Sequence, residues 1–290
     1  MKDYGFPLLF VPLSSVPLAA PATLPAPADS SLPQYSPGQV VSVWAAAALP
    51  MAGLGWVASP LLAHPIDDAT GIRGTARILL MTVGLVWQFV LAMLLVRREV
   101  RALSWPVLRE RLWLGPPRSP RTAHANARLW LWLAILIPLF ALSVFLIAPL
   151  LEGAWLATFP SLAEPPEFSL SQLLATPNSR ALAGAWWLYG LFLVLALFNT
   201  VLGEELLFRG VLLPRMYGAF GRWDWLANGV LFGVYHLHQP WGIPASIVDG
   251  ALLFALPTKL FRTAWMGIAV HSAQSVYFAL VLLPVLLGRA

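Results

Sequence analysis

Long apolar segments recur along this 290-residue chain, and each ends at charged or turn-forming residues. Segments long enough to span a bilayer are predicted at 40–63, 78–96, 129–151, 181–203 and 264–287, with shorter ones at 225–237 and 245–256. A helix crosses the hydrocarbon core with about 20 apolar residues. Hydrophobic residues make up 59% of the chain and charged residues 11%, which excludes a water-soluble fold. The sequence therefore predicts an all-α, polytopic transmembrane bundle of about seven helices.

Three regions follow from this pattern. Residues 1–39 are rich in proline, which breaks helices, so we expect a flexible or interfacial tail and not a signal peptide. Residues 40–180 hold the N-terminal membrane helices and a basic loop, and 181–290 hold the transmembrane region with the candidate catalytic residues. The chain has no cysteine, so its chemistry must use carboxylate, imidazole, hydroxyl or amide groups.

The charges predict the orientation in the membrane. Eight arginines lie between Arg97 and Arg128, and by the positive-inside rule this arginine loop is cytoplasmic. The segment after the third span carries Glu152, Glu164 and Glu167 and is expected outside. The net charge of +5 is thus an orientation signal, and nucleic acid binding is not expected. We expect a multi-pass protein of the cell membrane, and the Arg- and Ala-rich composition favours a bacterial inner membrane.

Ionisable side chains are rare in the apolar segments, and at membrane depth such groups usually face a cavity or a partner. The candidate catalytic residues are Glu204, Glu205, His236 and His271. Asp249 is a further polar residue that either lines a cavity or eases a bend.

The two glutamates are predicted to have different roles, because neighbours on an α-helix point about 100° apart. Glu205 is four residues before Arg209, the favourable order for an ion pair, and both are expected near the cytoplasmic surface. Glu204 has no basic partner in its own helix and suits a general base. His236 and His271 could orient water, donate to an oxyanion or bind a metal, and all three are expected to meet in the cytoplasmic half of the membrane.

The C-terminal region carries three short motifs in this order: Glu204-Glu205-x-x-x-Arg209, then Phe232-x-x-x-His236, then His271. Over roughly residues 180–287 this series resembles the CPBP family, also called the CAAX protease and bacteriocin-processing or Abi family, which includes the type II CAAX prenyl endopeptidases. The resemblance implies an intramembrane endopeptidase in which Glu204 and His236 activate water and His271 stabilises the oxyanion. The implied substrate is a membrane-associated peptide or protein, including prenylated ones.

Three alternatives remain open. The family has been described both as metalloproteases and as metal-independent glutamate proteases; two histidines and a glutamate could hold zinc, but no His-Glu-x-x-His spacing demands it. Ser275 stands where the family usually has asparagine, with Gln274 one residue earlier, so an inactive member is a second alternative. The third is a non-enzymatic transporter, immunity or scaffold protein, although the inverted repeats of many transporters are not evident.

Overall fold

The computed structural model describes residues 32–63, 72–165 and 182–289. The predictions for the proline-rich tail up to residue 31, and for part of the segment after the third span, lie outside these residues. Helices dominate the described chain, in which an isolated antiparallel bridge between Arg118 and Ala125 is the one β interaction. The all-α fold class is confirmed.

The main helices follow one another as α1 (Pro37–Leu62), α2 (Ile72–Glu99), α3 (Trp105–Arg111), α4 (Ala127–Thr158), α5 (Trp186–Arg215), α6 (Asp224–Tyr235), α7 (Pro240–Phe261) and α8 (Trp265–Leu286). Within the described ranges, six helices are long and apolar enough to cross a membrane: α1, the Ala76–Glu99 part of α2, α4, α5, α7 and α8. Helix α6 has 12 residues, or about 18 Å, and is too short to cross alone. The polytopic bundle is thus confirmed, with six spans and one short inner helix.

Local chemistry defines several helix ends. Helix α1 begins at Pro37 because Ser36 and Gln39 form a reciprocal cap: Ser36 Oγ accepts from Gln39 N at 3.3 Å and Gln39 Oε1 accepts from Ser36 N at 2.8 Å. Helix α7 stops at Phe261 because Arg262 adopts a left-handed conformation with φ of 50°. Both ends are therefore determined by the residues at the end itself.

Two predicted spans were too short. Helix α5 was predicted to end at residue 203 but continues to Arg215, because the charged side chains that follow are buried within the protein and do not mark a water boundary. Helix α7 was predicted over 245–256 but has 22 residues. Pro240 starts it, as proline can in a first helical turn, and Lys259 near its end pairs with Asp224 of α6.

Wide π-helical turns interrupt the long helices at Leu54–Ala58, Ser143–Ile147, Phe198–Gly203, Leu206–Leu212 and Asp249–Ala255. In such a turn the backbone bonds join residues five apart, so side chains at i and i+5 come onto one face. Two of these turns flank Glu204, and another begins at Asp249. The polar residues of the C-terminal region therefore lie on helices that depart from α geometry.

Helix α6 is held between α5 and α7. A Cβ atom at Gly233 would lie 2.7 Å from Ile247 N, so only glycine permits this close approach of α6 to α7. The Phe232 ring meets Phe208 of α5 edge to face at 5.2 Å and Phe254 of α7 at 6.0 Å. This packing carries the end of α6, and His236 after it, into the middle of the bundle.

The outer surface of the spans is apolar. Leucines that are largely exposed lie on spanning helices, including Leu61 at 70%, Leu131 at 71% and Leu150 at 66%. Such extensive apolar exposure suits contact with lipid and not with water. The protein is a multi-pass membrane protein.

Candidate active site

A cavity of about 630 Å³ lies among α1, α2, α4, α5, α7 and α8. Glu204, His236 and His271 all line it, although they come from three different parts of the chain. The structure thus brings together three of the four candidate residues. Glu205, the fourth, does not line this cavity.

Glu204 is 2% exposed and is held by an amide. In the orientation that turns its nitrogen toward the carboxylate, the Asn199 amide donates to Glu204 Oε1 at 3.1 Å and to Oε2 at 3.3 Å. The π-helical turn Phe198–Gly203 causes this contact, because it aligns residues five apart. Asn199 therefore fixes the direction of the carboxylate in the cavity.

A second support reaches Glu204 from α2 and α6. Gln88 Nε2 donates to the Tyr235 hydroxyl at 2.6 Å, and this hydroxyl in turn interacts with the Glu204 carboxylate. Gln88 and Tyr235 are both fully buried. Asn199 on α5, Gln88 on α2 and Tyr235 on α6 therefore position the Glu204 carboxylate together.

His236 is oriented by the backbone of its own helix. Its Nδ1 lies 2.9 Å from the Phe232 carbonyl oxygen, which can only accept, so Nδ1 carries the proton. His236 lies outside the six spans, and desolvation among neighbouring side chains lowers the pKa of its imidazole to about 4. The neutral ring therefore keeps Nε2 as a hydrogen-bond acceptor.

Glu205 forms a buried cluster with Arg209 and His271. It is 0% exposed, and its Oε1 lies 3.2 Å from Arg209 Nη1, which confirms the predicted ion pair. Arg209 is also 0% exposed, so the pair is enclosed by protein, and its position near the cytoplasmic surface stays a prediction. The guanidinium is enclosed because it lies 4.0 Å from the centre of the Phe232 ring and donates to the Gly250 carbonyl at 3.1 Å.

The second partner of Glu205 is His271. His271 Nδ1 donates to Glu205 Oε1 at 3.0 Å, and the ring stacks on Phe254 with 4.7 Å between centroids. A carboxylate only accepts, so Nδ1 carries the proton, and Nε2 can donate only when the ring is an imidazolium. The two adjacent glutamates thus contact different groups, as the 100° separation predicted.

Other polar residues line the same cavity, among them Asp249, Gln274 and Ser275. Asp249 accepts from Ser143 Oγ at 2.5 Å, which joins the π-helical turns of α4 and α7. Gln274 and Ser275 follow His271 along α8. Ser275 therefore faces the cavity from the position where the resemblance calls for asparagine.

The zinc alternative does not fit these residues. Across the described chain, no group of three histidine, aspartate or glutamate side chains is arranged to hold a metal ion. A catalytic zinc takes three protein ligands. Glu205, the carboxylate nearest to His271, is already paired with Arg209 and is therefore a poor metal ligand.

Sequence reasoning missed Asn199, Tyr235 and Gln88. Asn199 and Gln88 are amides within apolar segments, where a polar side chain needs a partner, and that signal was available. The sequence did not predict which groups these amides contact, because an α-helix would turn Asn199 away from Glu204.

Comparison with known proteins found a family match. Residues 185–277 match the family model described as type II CAAX prenyl endopeptidase Rce1-like. The matched region includes α5, α6, α7 and the first half of α8, and so contains Glu204, His236 and His271. No curated protein and no solved structure matches the chain.

Proposed function

We propose that the protein is an intramembrane endopeptidase, since residues 185–277 form a domain of the CPBP family of CAAX proteases. In this proposal it hydrolyses a membrane-associated peptide or protein with water activated by Glu204. The observation that carries this proposal is the convergence of Glu204, His236 and His271 on one cavity enclosed by membrane helices. A carboxylate and two imidazoles have no structural need to meet there, because each is costly to bury in a membrane protein.

The nucleophile is a water held between two acceptors. The Glu204 carboxylate accepts one of its hydrogens, and Nε2 of neutral His236 accepts the other. Glu204 takes the first proton as the water oxygen bonds to the substrate carbonyl carbon. The carbonyl π electrons move onto oxygen, giving a tetrahedral oxyanion.

His271 stabilises the charge that develops on that oxygen. As an imidazolium it donates from Nε2, while Nδ1 keeps its bond to Glu205. Glu205 and Arg209 act through His271 and hold it in place, so they are positioning residues. The hydroxyl of Ser275, one turn further along α8, is a second donor of shorter reach.

Collapse of the intermediate completes the cycle. The carbon–nitrogen bond breaks as the oxyanion re-forms a carbonyl, and the leaving amine takes the proton held by Glu204. The products are a carboxylic acid and an amine, and Glu204 is again a carboxylate. Asn199 and Tyr235 keep that carboxylate pointed at the cavity through both steps.

The test is cleavage of a peptide library by the purified protein in liposomes, compared with Glu204→Gln. Removal of a general base is expected to lower the rate by about 10²- to 10⁴-fold. A parallel reaction with a chelator tests for a metal. Equal rates for the two proteins, or no cleavage of any substrate by the wild-type protein, would favour a non-enzymatic role.

A further inference from the structure

The cavity extends from the catalytic residues toward one face of the membrane only. On α2 its lining residues run from Arg77 to Leu85, in the first half of the span. On α8 they begin at His271 and continue to Phe278, away from the start of the helix. The start of α2 and the end of α8 lie at the same end of the bundle, because the two helices run in opposite directions between the two faces.

Backbone contacts identify the face at the other end. Arg118 N donates to the Phe261 carbonyl at 2.8 Å, and Ala264 N donates to the Trp113 carbonyl at 2.8 Å. The end of α7 and the start of α8 therefore meet the arginine loop. Trp265 strengthens this contact by donating from Nε1 to the Leu114 carbonyl at 3.0 Å.

The turn that precedes α7 marks the opposite face. The His238 carbonyl accepts from Arg77 Nη2 at 3.1 Å, and the Pro240 carbonyl accepts from Trp155 Nε1 at 3.0 Å. These donors lie near the start of α2 and the end of α4, far along the chain from the arginine loop. Gln239 in this turn and Glu164 after α4 both line the cavity and are exposed, so the cavity reaches the surface here.

Packed protein closes the arginine-loop end. Phe254 is the cavity-lining residue of α7 nearest to that end, and it is 2% exposed. Beyond Glu204, α5 continues with Phe208, Arg209 and Arg215, each 0% exposed. Among the described residues, none past this layer lines the cavity.

We infer that substrate enters the site from the extracytoplasmic face, opposite the arginine loop. The positive-inside rule assigns the loop to the cytoplasm, and the cavity opens at the other end. This inference rests on the proposed function and specifies its substrates. They are peptide segments presented at the outer side of the membrane, and not prenylated tails presented at the cytoplasmic side.

The charges of the cavity further specify the substrate. Glu152, Glu164 and Asp249 line it together with Glu204, against one lining guanidinium, Arg77, among the described residues. Arg77 donates to the carbonyls of Gly55 and His238, so its charge is directed into the turn. Carboxylates that line a cleft with low-dielectric walls attract cations, and we expect segments that carry lysine or arginine.

The native chain has no cysteine, so single cysteines can report access without further changes. Gln239→Cys probes the entrance and Ser246→Cys the wall, which Ser246 lines while half-buried. Thr122→Cys probes the arginine loop without altering its charge, and buried Thr258→Cys is the matched unreactive control. Membrane-impermeant methanethiosulfonates, one cationic and one anionic, are applied to right-side-out and inverted vesicles.

Gln239→Cys and Ser246→Cys are expected to react in right-side-out vesicles, Thr122→Cys only in inverted ones, and Thr258→Cys in neither. The cationic reagent should modify Ser246→Cys about tenfold faster than the anionic one, and Glu152→Gln with Glu164→Gln should reduce that ratio. Reaction of Ser246→Cys only from the inverted side, or from neither side, overturns the inference, as does reaction of Thr122→Cys from outside. A rate ratio near one overturns the charge preference.

The same labelling in a Glu204→Gln background separates this inference from the proposed function. Access to Ser246→Cys does not require catalysis, so the labelling pattern should be unchanged. Loss of the labelling pattern with intact cleavage would overturn the entrance alone. An intact pattern without Glu204-dependent cleavage would overturn the proposed function alone.

Discussion

His271 donates a hydrogen bond to Glu205, and not to the glutamate that lines the cavity beside it. Glu205 also pairs with Arg209, so one buried carboxylate joins a histidine of α8 to the guanidinium of its own helix. The second glutamate of the motif therefore contacts both a buried guanidinium and a histidine that lines the cavity. Its sequence position next to Glu204 conceals this difference.

Glu205→Gln is expected to lower stability and also to slow cleavage. Removing one member of a buried ion pair costs about 3–5 kcal/mol, because the remaining charge is left uncompensated. The substitution also replaces the carboxylate that accepts from His271 Nδ1 and holds the ring in place. The measurements are thermal unfolding in detergent and cleavage rate per folded protein.

Glu204→Gln is the matched control for that variant. Its amide is isosteric with the carboxylate and can still accept from Asn199, so near wild-type unfolding is expected together with a loss of cleavage. Equal losses of stability in the two variants would remove the basis for separating their roles.

Glu204 and His271 are expected to act as one unit. The double variant Glu204→Ala/His271→Ala should be scarcely slower than either single variant, because a water between a base and an oxyanion donor is useless when either is missing. Initial cleavage rates per folded protein give the comparison. Losses that multiply would indicate independent and non-catalytic effects.

Ser275→Asn provides an internal control for that cycle. Ser275 lines the cavity, so the longer amide that is usual in the family should preserve or raise cleavage. A well-folded but inactive Ser275→Asn protein would show that this face of α8 does not serve the oxyanion.

Asn199→Ala is expected to reduce kcat by about tenfold to a hundredfold with little change in KM. A hydrogen bond to a charged group contributes about 1.5–3 kcal/mol, and here it fixes the direction of the proposed base. Ser272→Ala is the matched control, because its hydroxyl donates to Thr200 Oγ1 at 3.0 Å without lining the cavity. Similar kinetics for the two variants would assign Asn199 a structural role alone.

Gly267→Ala tests how closely α8 packs on the buried ion pair. A Cβ atom there would lie 2.6 Å from Glu205 Oε2 and 3.1 Å from Thr258 Oγ1. Overpacking of this kind costs about 1–3 kcal/mol, so a lower unfolding temperature is expected. Gly190→Ala on α5 has no atom within 4 Å of its added Cβ and should unfold like the wild type.

The spans and the three cavity-lining residues could be predicted from sequence. Long apolar segments determine the helices, and an ionisable group within such segments needs a cavity or a partner. That reasoning found Glu204, His236 and His271 without any knowledge of their contacts. It found the Glu205–Arg209 pair too, because that contact is local.

The remaining features depend on contacts between distant helices. The full length of α5 was missed because the charged residues from Glu204 onward predict a water boundary. Arg215, at the end of α5, is instead 0% exposed and pairs with Glu99 of α2 at 2.7 Å. The bond between His271 and Glu205 crosses 66 residues of sequence. Asn199 was missed because the turn that carries it does not have α geometry.

The wide turn before Glu204 makes the site depend on the number of residues as well as on their identity. An α-helix advances by about 100° per residue, so insertion of one position between Asn199 and Glu204 would place them six residues and about 120° apart and rotate the amide away from the carboxylate. Every motif residue would still be present in such a chain, in the same order. Insertions in this turn are therefore changes by which a relative could keep the family motif and lose the contact that orients Glu204.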